Sequence, residues 1–366
     1  MGFSCGFVGL PNVGKSTLFN ALCKGGAVAA NFPFCTIEPN TGIVPVPDPR
    51  LFRLADLEKS AKIKPTTLEF IDIAGLVEGA SQGQGLGNQF LGHIRSVDAV
   101  CHVVRLFNDG DVVHVSGNVD PVRDLEVIIT ELMLADLESL EKRTVKYKKM
   151  KRSGIKDIPL EAVLSEKYLT LLEDGKVPVA ESDDEEELTA IKALGLITMM
   201  PALVCANVDE DTFRNFGETP ESKALLEYAA THNMEVIPVC AKLEEELGQL
   251  EEDEAEMFLA DLGIEESGLN RIIHTGYKLL NYITFFTSGP TETHAWTIVE
   301  GTLAPKASGT IHTDMDRGFI RMEVVSYTDM DEYGGWNKAK EAGKLRIEGK
   351  DYVVKDGDNI HVRFSV

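Results

Sequence analysis

The chain has 366 residues, 43% of them hydrophobic and 26% charged, with a net charge of −23 from 59 acidic and 36 basic residues. That length allows two or three domains with full cores, and the composition is that of a soluble globular protein. So acidic a chain is excluded as a general nucleic-acid binder through its bulk charge, although a local basic patch can still contact RNA.

The first feature is an apolar run around Phe7 and Val8, which reads as a buried strand. It leads into Gly9 to Ser16 (GLPNVGKS) and then a helix opening at Thr17 to Leu22. Strand, glycine loop and helix together mark a true P-loop rather than a chance match. Gly9 and Gly14 let consecutive N–H groups converge on phosphate oxygens, and the helix N-terminus adds partial positive charge. Lys15 is a point charge for the terminal phosphates, and Ser16 offers a hydroxyl to Mg²⁺. Ala29 to Asn40 (AANFPFCTIEPN) reads as an ordered loop, and Thr41 to Val46 as a strand. Thr36 in that loop reads either as a turn residue or as the switch threonine that closes on the γ-phosphate and Mg²⁺. Leu68 to Ile73 is a strand ending in Asp72-Ile73-Ala74-Gly75, where Asp72 supports Mg²⁺ and the Gly75 N–H meets the γ-phosphate. Leu76 stands where many GTPases carry the water-orienting Gln, so another group must position the attacking water.

Glu78 to Gly92 is glycine-rich, Asp98 to Leu106 is a further buried strand, and a polar loop from Phe107 to Val119 carries His114. His114 reads either as a solvated loop residue or as the group that orients water. Asp120-Pro121 opens a long helix, with Asp as N-cap and Pro at the first helical position. Leu125, Ile128, Ile129, Leu132 and Leu140 give it an apolar face, and its far end is basic from Lys142 to Arg152. That end reads either as a solvated helix terminus or as an RNA or ribosome contact. Helices at Leu160 to Glu173 and from Glu185 to Leu194 complete a helical insertion.

Pro201 to Ala206 is a strand running into Asn207-Val208-Asp209-Glu210, the place of the guanine-reading Asn-Lys-x-Asp. Lys has become Val and the final Asp has become Glu. Adenine presents an acceptor at N1, where guanine presents donors, so the departure puts guanine specificity in doubt and leaves the choice of base open. Val236 to Cys240 is the next strand and leads to Ala241-Lys242, which closes over the base in such sites. Glu244 to Glu256 reads as an exposed acidic helix, and Asn270 to Asn281 as an amphipathic helix leaving the domain. From Tyr282 onward short β-rich runs (282–287, 295–299, 319–325, 352–354 and 359–364) surround one helix near Trp336 to Ala342. With no catalytic constellation of its own, this segment reads as an α+β binding module.

The cysteines (Cys5, Cys23, Cys35, Cys101, Cys205 and Cys240) form no CxxC pair and mostly lie in apolar runs. They read as reduced core thiols, with Cys35 alone in a loop. There is no basic-apolar leader and no bilayer-length apolar run, so a cytoplasmic protein is expected, with no membrane partner. No exposed apolar repeat signals a dimer, and a monomer is expected.

The motifs GLPNVGKS, NFPFCTIEPN, DIAGLVEGASQGQGLGNQFL and NVDE, together with the β-rich C-terminus, resemble the YchF branch of the Obg-like ATPases over essentially the whole length. The resemblance implies an α/β P-loop NTPase domain with a mostly parallel sheet over residues 1–120 and 201–280. It implies an inserted helical coiled-coil domain over 121–200 and a C-terminal TGS domain of β-grasp fold over 281–366. It further implies Mg²⁺-dependent ATP hydrolysis preferred over GTP, slow turnover, and ribosome association. Asn12, Val13, Gly14, Lys15, Ser16, Thr17, Gly75, Asn207, Val208, Glu210 and Ala241 are the expected ATP-binding residues. Ser16 and Thr36 are expected at Mg²⁺ with Asp72 behind them, Lys15 and His114 in catalysis, and K⁺ beside Asn12. An Obg-type GTPase, or an RNA or ribosome adaptor whose nucleotide is structural, are the alternative readings.

Overall fold

A computed structural model describes residues 3–28, 40–73, 86–107, 118–153, 159–250 and 252–365. Thr36 and Cys35, Gly75 and Leu76, and His114 lie outside the described residues. Strand β1 (Phe3–Val8) has six buried residues in succession, the mark of a parallel strand covered on both faces. Helix α1 (Lys15–Val28) follows the glycine loop, and β2 (Thr41–Pro45) comes next. The chain then leaves the sheet through α2 (Pro49–Glu58) and β3 (Ile63–Lys64) and returns in β4 (Thr67–Asp72). Helix α3 (Leu86–Ile94) leads to the fully buried β5 (Ala99–Leu106). A helical excursion, α4 (Pro121–Arg152), α5 (Leu160–Glu173) and α6 (Glu185–Leu194), precedes β6 (Ala202–Val208). Helices α7 (Glu210–Arg214) and α8 (Pro220–Thr231) lead to β7 (Glu235–Val239), and α9 (Ala241–Leu247), α10 (Glu252–Asp261) and α11 (Gly268–Leu279) close this part. The sheet order is β2-β4-β1-β5-β6-β7, parallel except for β2 against β4.

The helical excursion is anchored at both ends. Asp120 accepts from the Arg123 N–H as the N-cap of α4. Further along, Leu125, Ile128, Leu132 and Ala135 pack toward the sheet, and Leu140 joins Leu164, Tyr168, Leu172, Ile191 and Leu194 in a separate small core. Between these two cores the buried Asp136 carboxylate accepts from the Ile197 and Thr198 N–H groups at 3.0 and 2.9 Å and from the Thr198 hydroxyl at 2.7 Å. Burial raises its pKa, and those three donors oppose the shift.

Two segments depart from the sequence expectation. Glu244 to Glu256 is not one exposed helix but parts of α9 and α10, and Leu243, Glu244 and Leu247 are buried. The C-terminal unit holds four helices rather than one: α12 (Ala304–Ile311), α13 (Thr313–Arg317), α14 (Tyr327–Tyr333) and α15 (Trp336–Glu341). These accompany strands β8 (Tyr282–Thr287), β9 (Thr293–Val299), β10 (Phe319–Ser326), β11 (Arg346–Glu348) and β12 (Asp358–Phe364). Tyr352 to Val354 is not a strand: Val353 makes a lone bridge to Leu303, and the Tyr352 hydroxyl donates to Asp358 at 2.7 Å.

The second sheet runs β11-β10-β12-β8-β9-β3, so its edge strand comes from the N-terminal half of the chain. No element is expected from the sequence between Val46 and Leu68, yet α2 is built there. Asp48 caps it, Pro49 starts it, and Lys59 ends it in the left-handed region at φ 53°. Leu51 and Leu54 enter one core with Phe286, Val325, Met330 and Trp336. At the rim Arg53 pairs with Asp331 at 2.6 Å, and the Glu58 carboxylate accepts from the Trp336 N–H at 2.6 Å. The C-terminal unit is therefore assembled from two stretches of chain.

Leu54→Ala tests this assembly, because both tryptophans of the chain, Trp296 and Trp336, lie in the C-terminal unit. Emptying a fully buried leucine site should cost about 2–5 kcal/mol, read as an earlier fluorescence midpoint in denaturant. An unchanged midpoint would contradict the shared core.

Candidate nucleotide-binding site

The parallel strands of the first sheet all point their carboxyl ends at one edge, where open α/β sheets bind ligands. β1 ends there in the glycine loop, β4 in Asp72, β5 in Phe107, β6 in Asn207 and Val208, and β7 in Cys240. Asn12 and Gly14 both adopt positive φ, 65° and 92°. Asn tolerates this region through its short polar side chain. At Gly14 even a methyl group would strike the Asn207 amide, so the position excludes a side chain on two grounds.

Lys15 is buried, with its ammonium donating to the Gly9 and Leu10 carbonyls at 3.1 and 3.0 Å. The lysine is thus folded back over the loop it belongs to. Burial lowers its pKa and the nearby Asp72 carboxylate opposes the shift. Ser16 is exposed, and its hydroxyl donates to Asp72 Oδ2 at 2.7 Å. That bond commits the serine proton to the carboxylate and leaves the oxygen lone pairs for a cation. Val13 is buried in the core, so only its backbone faces the site.

Asn207 stitches the glycine loop to the start of α9. Its amide nitrogen donates to the Val13 carbonyl at 2.9 Å, and its amide oxygen accepts from the Ala241 N–H at 3.4 Å. Around it lies a cavity of about 710 Å³ lined by Asn12, Gly14 and Thr17 on one side and by Val208, Glu210, Ala241 and Lys242 on the other. The Asp209 carboxylate is engaged as the N-cap of α7, accepting from the Thr212 N–H at 2.8 Å. Glu210 lies 3.7 Å from the Lys242 ammonium.

One contributor escapes the motifs. Arg105 is buried at the end of β5; its Nε donates to the Phe107 carbonyl at 3.0 Å, and its guanidinium sits 4.3 Å over the Phe107 ring. It thereby holds Phe107 in the cavity wall. The available signal was a lone charge inside an otherwise apolar strand.

Comparison with known proteins places this geometry. A family model described as a 50S ribosome-binding GTPase matches residues 4–145, and a C-terminal model of YchF GTPases, described as a protein of unknown function, matches residues 282–365. Curated proteins named ribosome-binding ATPase YchF match over the full length of both chains, at 54% identity in Haemophilus influenzae, 52% in Escherichia coli O157:H7 and 51% in Bacillus subtilis. The chain belongs to the YchF family. The solved structure of the Schizosaccharomyces pombe YchF GTPase superposes with a TM-score of 0.86 at 38% identity, covering 99% of this chain and 97% of that one.

Within this YchF chain, Glu244 is a buried titratable group that no motif marks. It sits one turn into α9, and its carboxylate accepts from the Gly268 N–H at 2.7 Å, at the N-terminus of α11. Burial pushes its pKa up to about 7, against the pull of the Gly268, Leu269 and Ser267 hydrogen bonds. With the folded value raised above the ordinary 4.5, folding is favoured by protonation. That contribution is full below the unfolded value and is lost as pH rises through about 7. Glu244→Gln keeps an acceptor and cannot ionise. It should be more stable than the parent at pH 8 by up to about 3 kcal/mol, a gain that vanishes toward pH 4. Equal pH profiles in thermal denaturation would show that the Glu244 carboxyl has the same pKa in the folded and unfolded chain.

Proposed function

We propose that this protein is a Mg²⁺-dependent ATPase, preferring ATP to GTP, that works as a ribosome-associated nucleotide switch. The observation that carries the reading is the single cavity shared by the glycine loop and the 207–210 and 241–242 segments, a phosphate cradle joined to a base pocket. Family relatives named as ATPases support hydrolysis, while the Schizosaccharomyces pombe structure is described as a GTPase, so base choice rests on chemistry. Guanine offers N–H donors that a carboxylate reads, and adenine offers an acceptor. Asp209 is engaged as a helix cap and Glu210 faces Lys242, an arrangement that favours adenine. Asn12, Val13, Gly14, Lys15, Ser16 and Thr17 would hold the phosphates, with Asn207, Val208, Glu210 and Ala241 around the base.

The residues present fit a Mg²⁺ ion. Ser16 would be its ligand with Asp72 orienting the hydroxyl, and Thr36 is proposed beside them. Among the described residues no cluster of three or more His, Cys, Asp or Glu side chains could hold a metal ion alone, as suits a cation completed by phosphate oxygens. Bound there, Mg²⁺ would neutralise phosphate charge. Lys15 would swing from its two carbonyls onto the transferring group, the Gly75 N–H would meet the γ-phosphate, and His114 would order the water. K⁺ beside Asn12 belongs to the same proposal.

The ribosome partner is proposed for the basic end of α4, for the C-terminal unit, or for both. At that end Lys142 is paired with Glu138 and Arg143 reaches the Ala193 carbonyl, whereas Lys146, Lys148, Lys149 and Arg152 are exposed. The expected monomer, cytoplasmic location, coiled-coil insertion and TGS character belong to this proposal too. Among the described residues no helix is long and apolar enough to cross a membrane.

Paired titration of ATP and GTP with Mg²⁺ present should give ATP at least about tenfold tighter, roughly 1.4 kcal/mol or more. In the same assay His114→Ala should keep ATP affinity and lose turnover. Equal or tighter GTP binding would move the protein to the GTPase reading, and unchanged turnover would remove His114 from the mechanism.

A further inference from the structure

We propose that Tyr277 and Thr297 are positioning residues for nucleotide turnover, because their hydroxyls join the two struts that connect the nucleotide site to the C-terminal unit. This rests on the nucleotide-binding reading above. One strut starts at the phosphate end. Ser16 bonds Asp72, and the Asp72 N–H donates to the Asn40 carbonyl at 2.9 Å. From there the β2–β4 ladder runs in register from Thr41 opposite Ile71 to Pro45 opposite Thr67, a rigid ribbon of about 17 Å. The Val46 N–H closes it onto the Thr66 carbonyl at 2.8 Å. The Thr66 hydroxyl then lies 2.6 Å from that of Thr297, on β9. Beyond Thr66 the connection is fastened again by the Ala61 N–H to the Pro290 carbonyl at 3.0 Å and the Thr293 N–H to the Lys62 carbonyl at 2.9 Å.

The other strut starts at the base end. Asn207 and Ala241 join β6 to α9, and Glu244 on α9 holds the N-terminus of α11. Helix α11, about 18 Å long, carries Tyr277 in its last turn. The Tyr277 hydroxyl lies 2.9 Å from Thr297 Oγ1, 2.9 Å from Thr284 Oγ1 and 3.2 Å from the Ile283 carbonyl. Midway, His274 bonds the Pro47 carbonyl at 3.0 Å, tying α11 to the turn after β2.

Both ends of the site therefore reach the C-terminal unit at one group of hydroxyls. Tyr277 has one proton for three acceptors, and Thr66, Thr284 and Thr297 can each donate or accept. The cluster can exchange its pattern of donors by hydroxyl rotation alone, without repacking. A shift at Asp72 or at Ala241 is transmitted as a change of partners at Thr297. Burial raises the Tyr277 pKa, so the hydroxyl keeps its proton at physiological pH.

The test uses the full chain, with Tyr277→Phe and Thr297→Val removing one hydroxyl each at nearly constant volume. Lys64→Ala serves as a control that breaks the exposed Lys64–Glu292 pair at the same junction. Hydrogen exchange with and without MgATP is read at the site (9–17 and 207–245) and in the C-terminal unit (282–365), beside steady-state kinetics. In the parent and the control, MgATP should change exchange in both regions. In the hydroxyl variants the site response should persist, the response of 282–365 should fall at least threefold, and kcat should change at least threefold with KM within twofold. Parent-like coupling and turnover in both variants would overturn the proposal, as would a parent response confined to the site. No response in either region would overturn it together with the nucleotide-binding reading.

Discussion

The rest of the site depends on one side chain, the Asn207 amide. It ends β6, donates to the glycine loop at the Val13 carbonyl and accepts from the start of α9 at the Ala241 N–H. Because it is buried, either bond left unmade would strand a polar group at a cost of about 1–3 kcal/mol. The two bonds fix the distance between the glycine loop and the 241–242 side of the cavity. They also explain Gly14, the one loop position where a side chain would strike that amide. Phosphate loop, base pocket and the α9–α11 connection are consequently one mechanical object.

Charge is handled the same way at several points of the site: an ionic group is held by a local partner. Lys15 rests on two carbonyls, Asp72 holds Ser16, Asp209 caps α7, and Glu244 caps α11 while leaning toward its neutral form. A nucleotide bound there would exchange these local contacts for bonds to its phosphate oxygens. The groups that would change partners, Lys15 and Ser16 with Asp72, sit at the root of the ladder that reaches Thr66.

Much of this was legible in the sequence, and the parts that were not share a cause. Buried parallel strands such as β1, β5 and β6 announce themselves as apolar runs, and α4 begins at an acidic cap, Asp120. Helix α2 opens on the same Asp-Pro signal as α4, at Asp48-Pro49, but nothing local shows that Leu51, Leu54 and Ile63 pack against residues 286–339, remote in sequence. Local periodicity carries no information about such a partner. Glu244 was hidden by its acidic neighbours, since only the fold separates it from the exposed Glu245 and Glu246. The commitments of Asp209 and Arg105 follow from where α7 starts and β5 ends, which composition cannot resolve to one residue.

Asn207→Ala tests the central claim most directly, through the affinities for ATP and GTP measured side by side. If Asn207 is the stitch between cradle and pocket, both affinities should fall together, by about tenfold or more, as expected for removing two buried hydrogen bonds, with their ratio preserved. A variant that keeps the parent affinity for both nucleotides would show that these two bonds do not hold the site together and would contradict the account.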